Sequence, residues 1–165
     1  MAIAEGTPGD LSDLVRMMAA FARGEGDPDH NFTIERAAED LFGPRPWVSS
    51  LVARRGGEPA GALLWHWAYE TPYASRGAYI ASLWVEPGHR RHGVATALVA
   101  ALADRVQREG GAHLWWASKP GNKTAHATYE SLGAFAEGVM AHALFGPSFE
   151  ALAEGYRAHG RARPR

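Results

Sequence analysis

The chain of 165 residues contains no cysteine. This absence excludes disulfide bonds, thiolate metal ligands and an acyl-cysteine intermediate, and it makes a cytoplasmic location the default expectation. Long apolar runs are missing too, since no stretch approaches the roughly 18 to 20 apolar residues of a membrane-spanning helix. The N-terminus also lacks a basic segment followed by an apolar run. We therefore expect a soluble protein with no membrane partner.

An excess of charge of either sign is absent as well. Lys and Arg number 17 against 18 Asp and Glu, which gives a formal net charge of -1. Such a balance offers no electrostatic footprint for nucleic acid, so no nucleic-acid partner is predicted. The length predicts one domain spanning residues 1–165, with residues 156–165 forming a flexible basic tail.

Two phosphate-binding motifs are missing. The chain has no G-x-G-x-x-G fingerprint of a dinucleotide-binding fold and no G-x-x-x-x-G-K-(S/T) loop. What it has is the run His89–Thr96, HRRHGVAT, between a β-branched, aromatic segment at Tyr79–Val85 and a segment with helical periodicity that begins at Val94. A helix start presents unpaired N–H groups and partial positive charge to an anion. The run therefore predicts a pyrophosphate cradle.

Two motifs carry a family resemblance. Arg90-x-x-Gly93-x-Ala95 fits the (Q/R)-x-x-G-x-(G/A) signature of acyl-CoA binding in the GNAT superfamily of N-acetyltransferases. Further along the chain, Asn122-x-x-Ala125-x-x-x-Tyr129-x-x-x-Gly133-Ala134 resembles the segment after the fifth strand of the same family. Segments of the chain also look like the diamine (spermidine/spermine) acetyltransferase branch.

The order of predicted elements agrees with this resemblance. An initial strand precedes a helix pair, a meander of strands, and then helix, strand, helix and strand. The resemblance implies an α/β GNAT fold, in which helices flank a mixed, mostly antiparallel sheet whose fourth and fifth strands splay apart. The predicted segments are helices over Leu11–Ala22, Phe32–Phe42 (capped by Thr33) and Thr124–Leu132, and strands over Trp47–Ala53, Ala60–Tyr69, Tyr79–Val85, Ala112–Ala117 and Phe135–Leu144.

The resemblance also implies an activity, which is transfer of an acetyl group from acetyl-CoA to a primary amine by direct attack. The cosubstrate would be acetyl-CoA, no metal is required, and a homodimer is the family's habit. The implied cofactor-binding residues lie on the fourth strand, in the turn after it and at two helix starts: Leu83, Trp84, Val85, Arg90, Arg91, His92, Gly93, Val94, Ala95, Thr96, Asn122 and Ala125.

Tyr129 is the predicted catalytic residue. The family places a tyrosine at the matching position, where a phenol with a pKa of about 10 can protonate the departing thiolate while remaining neutral at working pH. The alternative is a tyrosine that only packs its ring on the core. Asn122 is predicted either to orient the cofactor arm or to cap the short helix.

The acceptor side departs from the diamine branch. Polyamine-acetylating relatives carry two consecutive acidic residues at the positions of Ala81 and Ser82, and neither residue here is charged. Because an amine with a pKa of about 10.4 must lose a proton before attack, a base is still required, for which His66, Glu70 and Glu86 are candidates. The predicted substrate-binding residues are His66, Glu70, Ala81, Ser82 and Trp116.

Aromatic residues surround the expected acceptor groove. They can hold a cationic amine through their ring faces, stack a planar substrate or simply fill the core. The acceptor could therefore be a small-molecule amine, an aromatic amine, an amino acid, an antibiotic or a protein amine. A weakly active CoA-binding sensor is the alternative from another class, because the acidic pair is missing. The aromatic residues are Trp65, Trp67, Tyr69, Tyr73 and Trp84.

Overall fold

A five-stranded sheet forms the framework of the computed structural model, which describes residues 1–161. The first four strands form an antiparallel meander in the spatial order of the chain, and the fifth pairs with the fourth in parallel. The predicted mixed, mostly antiparallel sheet is confirmed. The strands are β1 (Ala2–Glu5), β2 (Ser49–Arg55), β3 (Glu58–Glu70), β4 (Ser75–Val85) and β5 (His113–Trp115).

The strands β4 and β5 stay together over a short distance. Their ladder joins Gly77–Tyr79 to His113–Trp115, after which β4 continues to Val85 without β5 beside it. Along residues 80–85, the edge of β4 that faces β5 therefore has no strand partner in the described part of the chain. This opening is the splay predicted for the fourth and fifth strands.

Helices cover both faces of the sheet. The helices α1 (Leu11–Glu25) and α2 (Ile34–Phe42) share a buried cluster with Val52, Ala62 and Leu64 of the strands. The helix α3 (Val94–Arg108) packs on the opposite face, and its buried residues Val94, Leu98, Leu102 and Val106 follow the helical period. The remaining helices are α4 (Lys123–Ser131) and α5 (Pro147–Arg161).

Two local features are defined at the atomic level, and the first confirms the predicted cap at Thr33. The hydroxyl of Thr33 accepts a hydrogen bond from the Arg36 N–H at 3.2 Å and caps α2. The β2–β3 connection is a two-residue turn at Gly56 and Gly57 with φ of 63° and 89°. Positive φ at both positions gives a turn whose twist matches that of the flanking strands, and glycine adopts it without a Cβ clash.

The predicted strand over Phe135–Leu144 is wrong. These residues are irregular and exposed. Strand propensity alone does not form a strand, because the backbone hydrogen bonds of a strand need a neighbouring strand.

Contacts divide the chain into two units, 1–134 and 135 onward. Residues 156–161 of the predicted tail belong to α5, and residues 162–165 lie outside the described residues. Among the described helices, none is both long and apolar enough to span a membrane.

Candidate active site

The start of α3 presents free backbone donors beside β4. Gly93 precedes the helix with φ of 77°, and no side chain caps it. The first bond of the helical type runs from Ala97 N–H to Gly93 C=O at 3.0 Å. The N–H groups of Val94, Ala95 and Thr96 come before that bond and have no acceptor within the helix, so they are available to an anion.

Cationic side chains surround this helix start. The guanidinium of Arg90 lies 4.8 Å from the ring centroid of Trp84, and its Nε donates to the Val85 carbonyl at 3.1 Å. Arg91 is exposed and has φ of 60°, a left-handed conformation that is uncommon outside glycine. His92 is exposed as well, and its Nδ1 lies 2.7 Å from the Arg90 carbonyl oxygen. The turn is therefore held by its own side chains and adds positive charge in front of α3.

A β-bulge lies where β4 leaves β5. Leu64 pairs with Ser82 and Trp65 pairs with Ile80, so Ala81 is the extra residue of β4. Bulges interrupt the ladder and are over-represented next to active sites. Ala81 is exposed and Ser82 is half-buried, which places both predicted acceptor positions at this bulge.

The β4 residues after the bulge point to alternate faces. Leu83 and Val85 pack with the cluster under α3, whereas Trp84 packs with the cluster under α1 and α2. Their side chains are thus occupied with packing. The open edge of β4 therefore presents backbone, and the contact of these three residues with a cofactor stays a prediction.

Tyr129 lies in the middle of α4 and is half-buried. Its ring packs edge-on against Trp116, one residue beyond the end of β5. Burial raises the pKa of the Tyr129 hydroxyl above its ordinary value, and the negative charge of Glu25 raises it further. The phenol is therefore held in its protonated form, which is the form that can donate a proton.

Asn122 caps α4 and also contacts a distant residue. Its Oδ1 accepts from Ala125 N–H at 3.1 Å, which confirms the capping prediction, and its Nδ2 donates to Glu25 Oε1 at 2.9 Å. The side-chain amide thus joins the last residue of α1 to the helix that carries Tyr129. Sequence reasoning missed Glu25, because a glutamate at a helix end reads as a solvated residue and 97 positions separate it from Asn122.

Two of the three candidate bases are engaged elsewhere or remote. The carboxylate of Glu86 accepts from the Arg16 guanidinium and, at 3.4 Å, from the Trp84 indole. Glu70 pairs with Ser75 at the far end of the β3–β4 ladder, six residues from Leu64, which faces Ser82. Six strand residues correspond to about 20 Å, so the structure does not bring Glu70 to the bulge.

His66 lies closer to the bulge and is exposed. It is opposite Tyr79, and the two rings stack with centroids 5.3 Å apart. Its Nδ1 lies 3.0 Å from the Trp67 carbonyl oxygen, which leaves Nε2 to face solvent. Of the three candidates, His66 alone has an accessible group within two residues of Leu64 on β3.

The aromatic residues divide between core and surface. Trp65 is 3% exposed and belongs to the buried cluster under α3, so for this residue core filling is the observed role. Three others are at least half exposed: Trp67, Tyr69 and Tyr73. Trp84 packs under α1 and α2, and its ring makes a cation–π contact with Arg90.

Neither of the two cavities described in the protein is lined by Ser82, Tyr129 or the start of α3. One of about 340 Å³ is lined by residues that include Trp67, Arg76 and Arg105, and another of about 670 Å³ by residues that include Arg45 and Trp47. We therefore place the candidate site on the surface, at the edge of β4 that lacks a strand partner and at the start of α3. Among the described residues, no group of three or more His, Asp or Glu side chains is placed to hold a metal ion.

Comparisons with known proteins bear on this geometry. The acetyltransferase (GNAT) family profile matches residues 13–134. The thialysine N-epsilon-acetyltransferase of Bos taurus is 29% identical over 141 residues, which cover 80% of this chain and 82% of the relative. Its Mus musculus counterpart is 30% identical over 142 residues, with the same coverage of both chains.

Solved structures show the same fold. The ribosomal-protein-alanine N-acetyltransferase of Brucella melitensis biovar Abortus 2308 superposes with a TM-score of 0.70 at 22% identity, covering 88% of this chain and 100% of that one. An integron cassette protein from the mobile metagenome of V. cholerae gives a TM-score of 0.76 at 21% identity, covering 93% and 97%.

Proposed function

This chain belongs to the acetyltransferase (GNAT) family and is an N-acetyltransferase that acts on small-molecule amines, and on that premise we propose how its own residues carry the reaction. The neutral amine nitrogen attacks the carbonyl carbon of acetyl-CoA directly, the carbon–sulfur bond breaks, the nitrogen loses one proton as the amide forms, and CoA leaves as a thiolate that takes up one proton. No enzyme-bound acyl group intervenes, and the absence of cysteine in the sequence fits this route.

The observation that carries the proposal is the opening between β4 and β5 beside the uncapped start of α3. The free N–H groups of Val94, Ala95 and Thr96 fit the pyrophosphate of acetyl-CoA, Arg90 and Arg91 add positive charge around it, and His92 lies in the same turn. A cofactor arm running away from the pyrophosphate then meets the edge of β4 at Leu83, Trp84 and Val85 that has no strand partner on the β5 side. Gly93 leaves open space at this turn, since a Cβ built there meets no atom within 4 Å.

Tyr129 is the proposed proton donor to the thiolate. A thiol has an ordinary pKa of about 8.5 and a phenol one of about 10, so proton transfer from the phenol to a thiolate in water is unfavourable. A hydrogen bond that strengthens as the sulfur gains charge still lowers the barrier. Because burial and Glu25 keep Tyr129 neutral, the donor is present throughout the neutral pH range.

The acceptor is proposed to be the side-chain amine of thialysine or a similar aliphatic primary amine. Two relatives that cover four-fifths of this chain are named for thialysine. Ala81 and Ser82 offer no carboxylate at the bulge, which favours an acceptor of low charge over a polyamine. Trp116 and His66 are further residues that we assign to the acceptor site.

An amine panel tests the proposed activity. Purified protein is given acetyl-CoA and, in turn, thialysine, lysine, spermidine, n-butylamine and aniline, and the free CoA thiol is measured with a colorimetric reagent. A cysteine-free protein contributes no background thiol to this assay. Saturable thiol release with thialysine is the expected result. Stabilisation by CoA without turnover of any amine would instead indicate a sensor.

We also propose a homodimer. Eight large apolar side chains of residues 135–156 are at least half exposed, and contiguous exposed apolar surface marks interaction sites; a second copy of the chain is the partner that we propose for it. Light scattering coupled to size-exclusion chromatography tests this, with a monomer mass as the contradicting result. The exposed residues are Phe135, Val139, Met140, Leu144, Phe145, Phe149, Leu152 and Tyr156.

We also propose a cytoplasmic location, from the composition of the chain, and cell fractionation tests it.

A further inference from the structure

His66 and Ser82 lie on the same face of the sheet. Leu64 packs in the cluster under α1 and α2, and Ser82 of the β4 bulge is directly opposite it. Residues opposite each other in a ladder point to one face, and so do residues two apart on one strand. His66 therefore shares the face of Ser82, about 7 Å along β3 from Leu64. Trp65, between the two β3 residues, belongs to the cluster on the other face, as this alternation requires.

The hydrogen bond of His66 determines which of its ring nitrogens is free. Nδ1 lies 3.0 Å from the Trp67 carbonyl oxygen, and a carbonyl oxygen can only accept a hydrogen bond. Nδ1 must therefore carry the hydrogen of the neutral ring, so the lone pair is on Nε2. Nothing in residues 1–161 forms a hydrogen bond with Nε2. The ring thus presents a free acceptor for a proton.

The ring of His66 is also held in one orientation. It stacks on the ring of Tyr79, with centroids 5.3 Å apart and planes inclined by 26°. Tyr79 is opposite His66 in the ladder and is half-buried, whereas His66 is exposed. A base that is oriented by its neighbours and still open to a ligand fits the geometric requirement of general base catalysis.

The proposed proton donor belongs to a helix that begins on this side of the sheet. The end of α1 is joined to the start of α4 by the hydrogen bond from Asn122 to Glu25 at 2.9 Å. Tyr129 of α4 is within electrostatic reach of Glu25, whose charge contributes to its raised pKa. Because α1 packs on the face that carries His66, a base on β3 and an acid on α4 can serve one reacting amine.

The other candidates for the base are not available at the bulge. Ala81 and Ser82 have no titratable group, Glu86 is bonded to Arg16, and Glu70 is about 20 Å along the strand. Imidazole takes up and releases protons close to neutral pH, which suits a group that must be regenerated in every turnover.

We propose that Nε2 of His66 is the general base that takes a proton from the ammonium group of the acceptor. The inference rests on the proposed function and adds the missing base to it. The ammonium gives its first proton to Nε2, the neutral nitrogen attacks the thioester, and a second proton leaves the nitrogen as the amide forms. Sulfur gains one proton from Tyr129, which solvent restores, so one proton is released for each cationic amine acetylated. The exposure of Nε2 lets the imidazolium return its proton to water.

Two variants separate the base from the other contacts of His66. In His66→Asn the amide nitrogen stands where Nδ1 stood and can still donate to the Trp67 carbonyl, whereas His66→Phe keeps a ring to stack on Tyr79. Neither has a base. His30→Asn is the matched control, because His30 is an exposed histidine in the loop after α1. Acetyl-CoA affinity is measured for every variant by calorimetry.

Two amines serve as probes: n-butylamine, which is a cation at neutral pH and must lose a proton before attack, and aniline, which is uncharged. In both His66 variants we expect kcat/KM for n-butylamine to fall about a hundred- to ten-thousandfold, the usual contribution of a general base. With aniline, kcat/KM should stay within about threefold, and acetyl-CoA affinity should be unchanged. His30→Asn should match the parent with both amines. Added imidazole should restore the n-butylamine activity of His66→Ala at least tenfold.

Four results would overturn the inference. Parent-like kcat/KM with n-butylamine in either His66 variant would show that the proton leaves by another route. An equal loss with both amines would show that His66 only shapes the site. If aniline is not a substrate, failure of imidazole to rescue His66→Ala decides against the base. A parent protein that binds acetyl-CoA but releases no thiol with any amine of the panel would overturn the proposed function, and this inference with it.

Discussion

The ring of Tyr129 packs edge-on against the indole of Trp116, with ring centroids 5.1 Å apart and planes inclined by 64°. Edge-to-face pairs of this kind are worth about 0.5–1.5 kcal/mol beyond the area they bury. Trp116 in turn packs on the cluster under α3. The phenol of Tyr129 is therefore oriented by a residue anchored in the core, and its hydroxyl is held in one place relative to the groove.

Replacing Tyr129 by Phe should abolish most of the turnover and leave acetyl-CoA binding intact. The ring and its contact with Trp116 remain, while the proton donor is removed, so kcat should fall about a hundred- to ten-thousandfold with acetyl-CoA affinity unchanged. Thiol release and calorimetry measure the two quantities. Tyr156→Phe, at an exposed tyrosine on α5, should retain full activity. Turnover of Tyr129→Phe within about threefold of the parent would leave Tyr129 with a packing role only.

The titration of Tyr129 should be displaced to high pH. Burial and the charge of Glu25 both disfavour the phenolate, so the pKa is raised and the neutral form persists to higher pH than in an exposed tyrosine, where the pKa is about 10. Phenolate absorbance of the parent minus that of Tyr129→Phe isolates this residue. Half-titration at or below pH 10 would contradict the expectation.

A negative charge at the start of α3 should weaken cofactor binding without harming the fold. Ala95→Glu places a carboxylate where a phosphate is proposed to bind, although an acidic residue in the first turn favours the helix itself. Repulsion at about 4 Å amounts to roughly 1–4 kcal/mol, which corresponds to a five- to several-hundredfold loss of acetyl-CoA affinity. Ala100→Glu, on the exposed side of the same helix, is the control. Unchanged acetyl-CoA affinity in a folded Ala95→Glu protein would contradict the proposal that the start of α3 binds the pyrophosphate.

Spermidine and spermine should be poor substrates. The uncharged Ala81 and Ser82 leave a polyamine without two carboxylate partners, and each lost charge-assisted hydrogen bond is worth about 1.5–3 kcal/mol. Affinity should therefore be on the order of a hundredfold or more below that of a site with the acidic pair. Ala81→Glu should raise kcat/KM for spermidine in the thiol-release assay. Saturable acetylation of micromolar spermidine by the parent would show that another acidic residue takes the place of this pair.

Asp10 should be a stability determinant. It is 4% exposed, its Oδ1 accepts from the Arg54 guanidinium, and its Oδ2 accepts from both the N–H and the hydroxyl of Thr7 at 2.8 Å. Asp10→Ala removes all three bonds, so we expect the free energy of unfolding to fall by about 3 kcal/mol. Asp104→Ala removes an exposed pair with Arg108 and should cost less than about 1 kcal/mol. Urea denaturation of the two variants measures both values.

Much of the fold was readable from local patterns. The apolar period of α3 follows directly from Val94, Leu98, Leu102 and Val106, because a helix returns to the same face about every 3.6 residues. The cap at Thr33 and the Gly56–Gly57 turn depend on a few neighbouring residues each. The cradle before α3 belongs to the same class, since it needs only a strand end, small residues and a helix start in succession.

Only the tertiary structure decided the features that depend on residues far apart in the chain. The bulge at Ala81 arises from the register of β4 against β3, and the meeting of Glu25 with Asn122 joins residues 97 positions apart. Phe135–Leu144 has the composition of a strand yet forms none, because a strand exists only where a neighbour completes its ladder of hydrogen bonds. Composition and periodicity thus determined the elements, and the motif at the start of α3 led to the prediction of a cofactor site there. The packing of α1 brought the Glu25 carboxylate to Asn122, from where its charge raises the pKa of Tyr129.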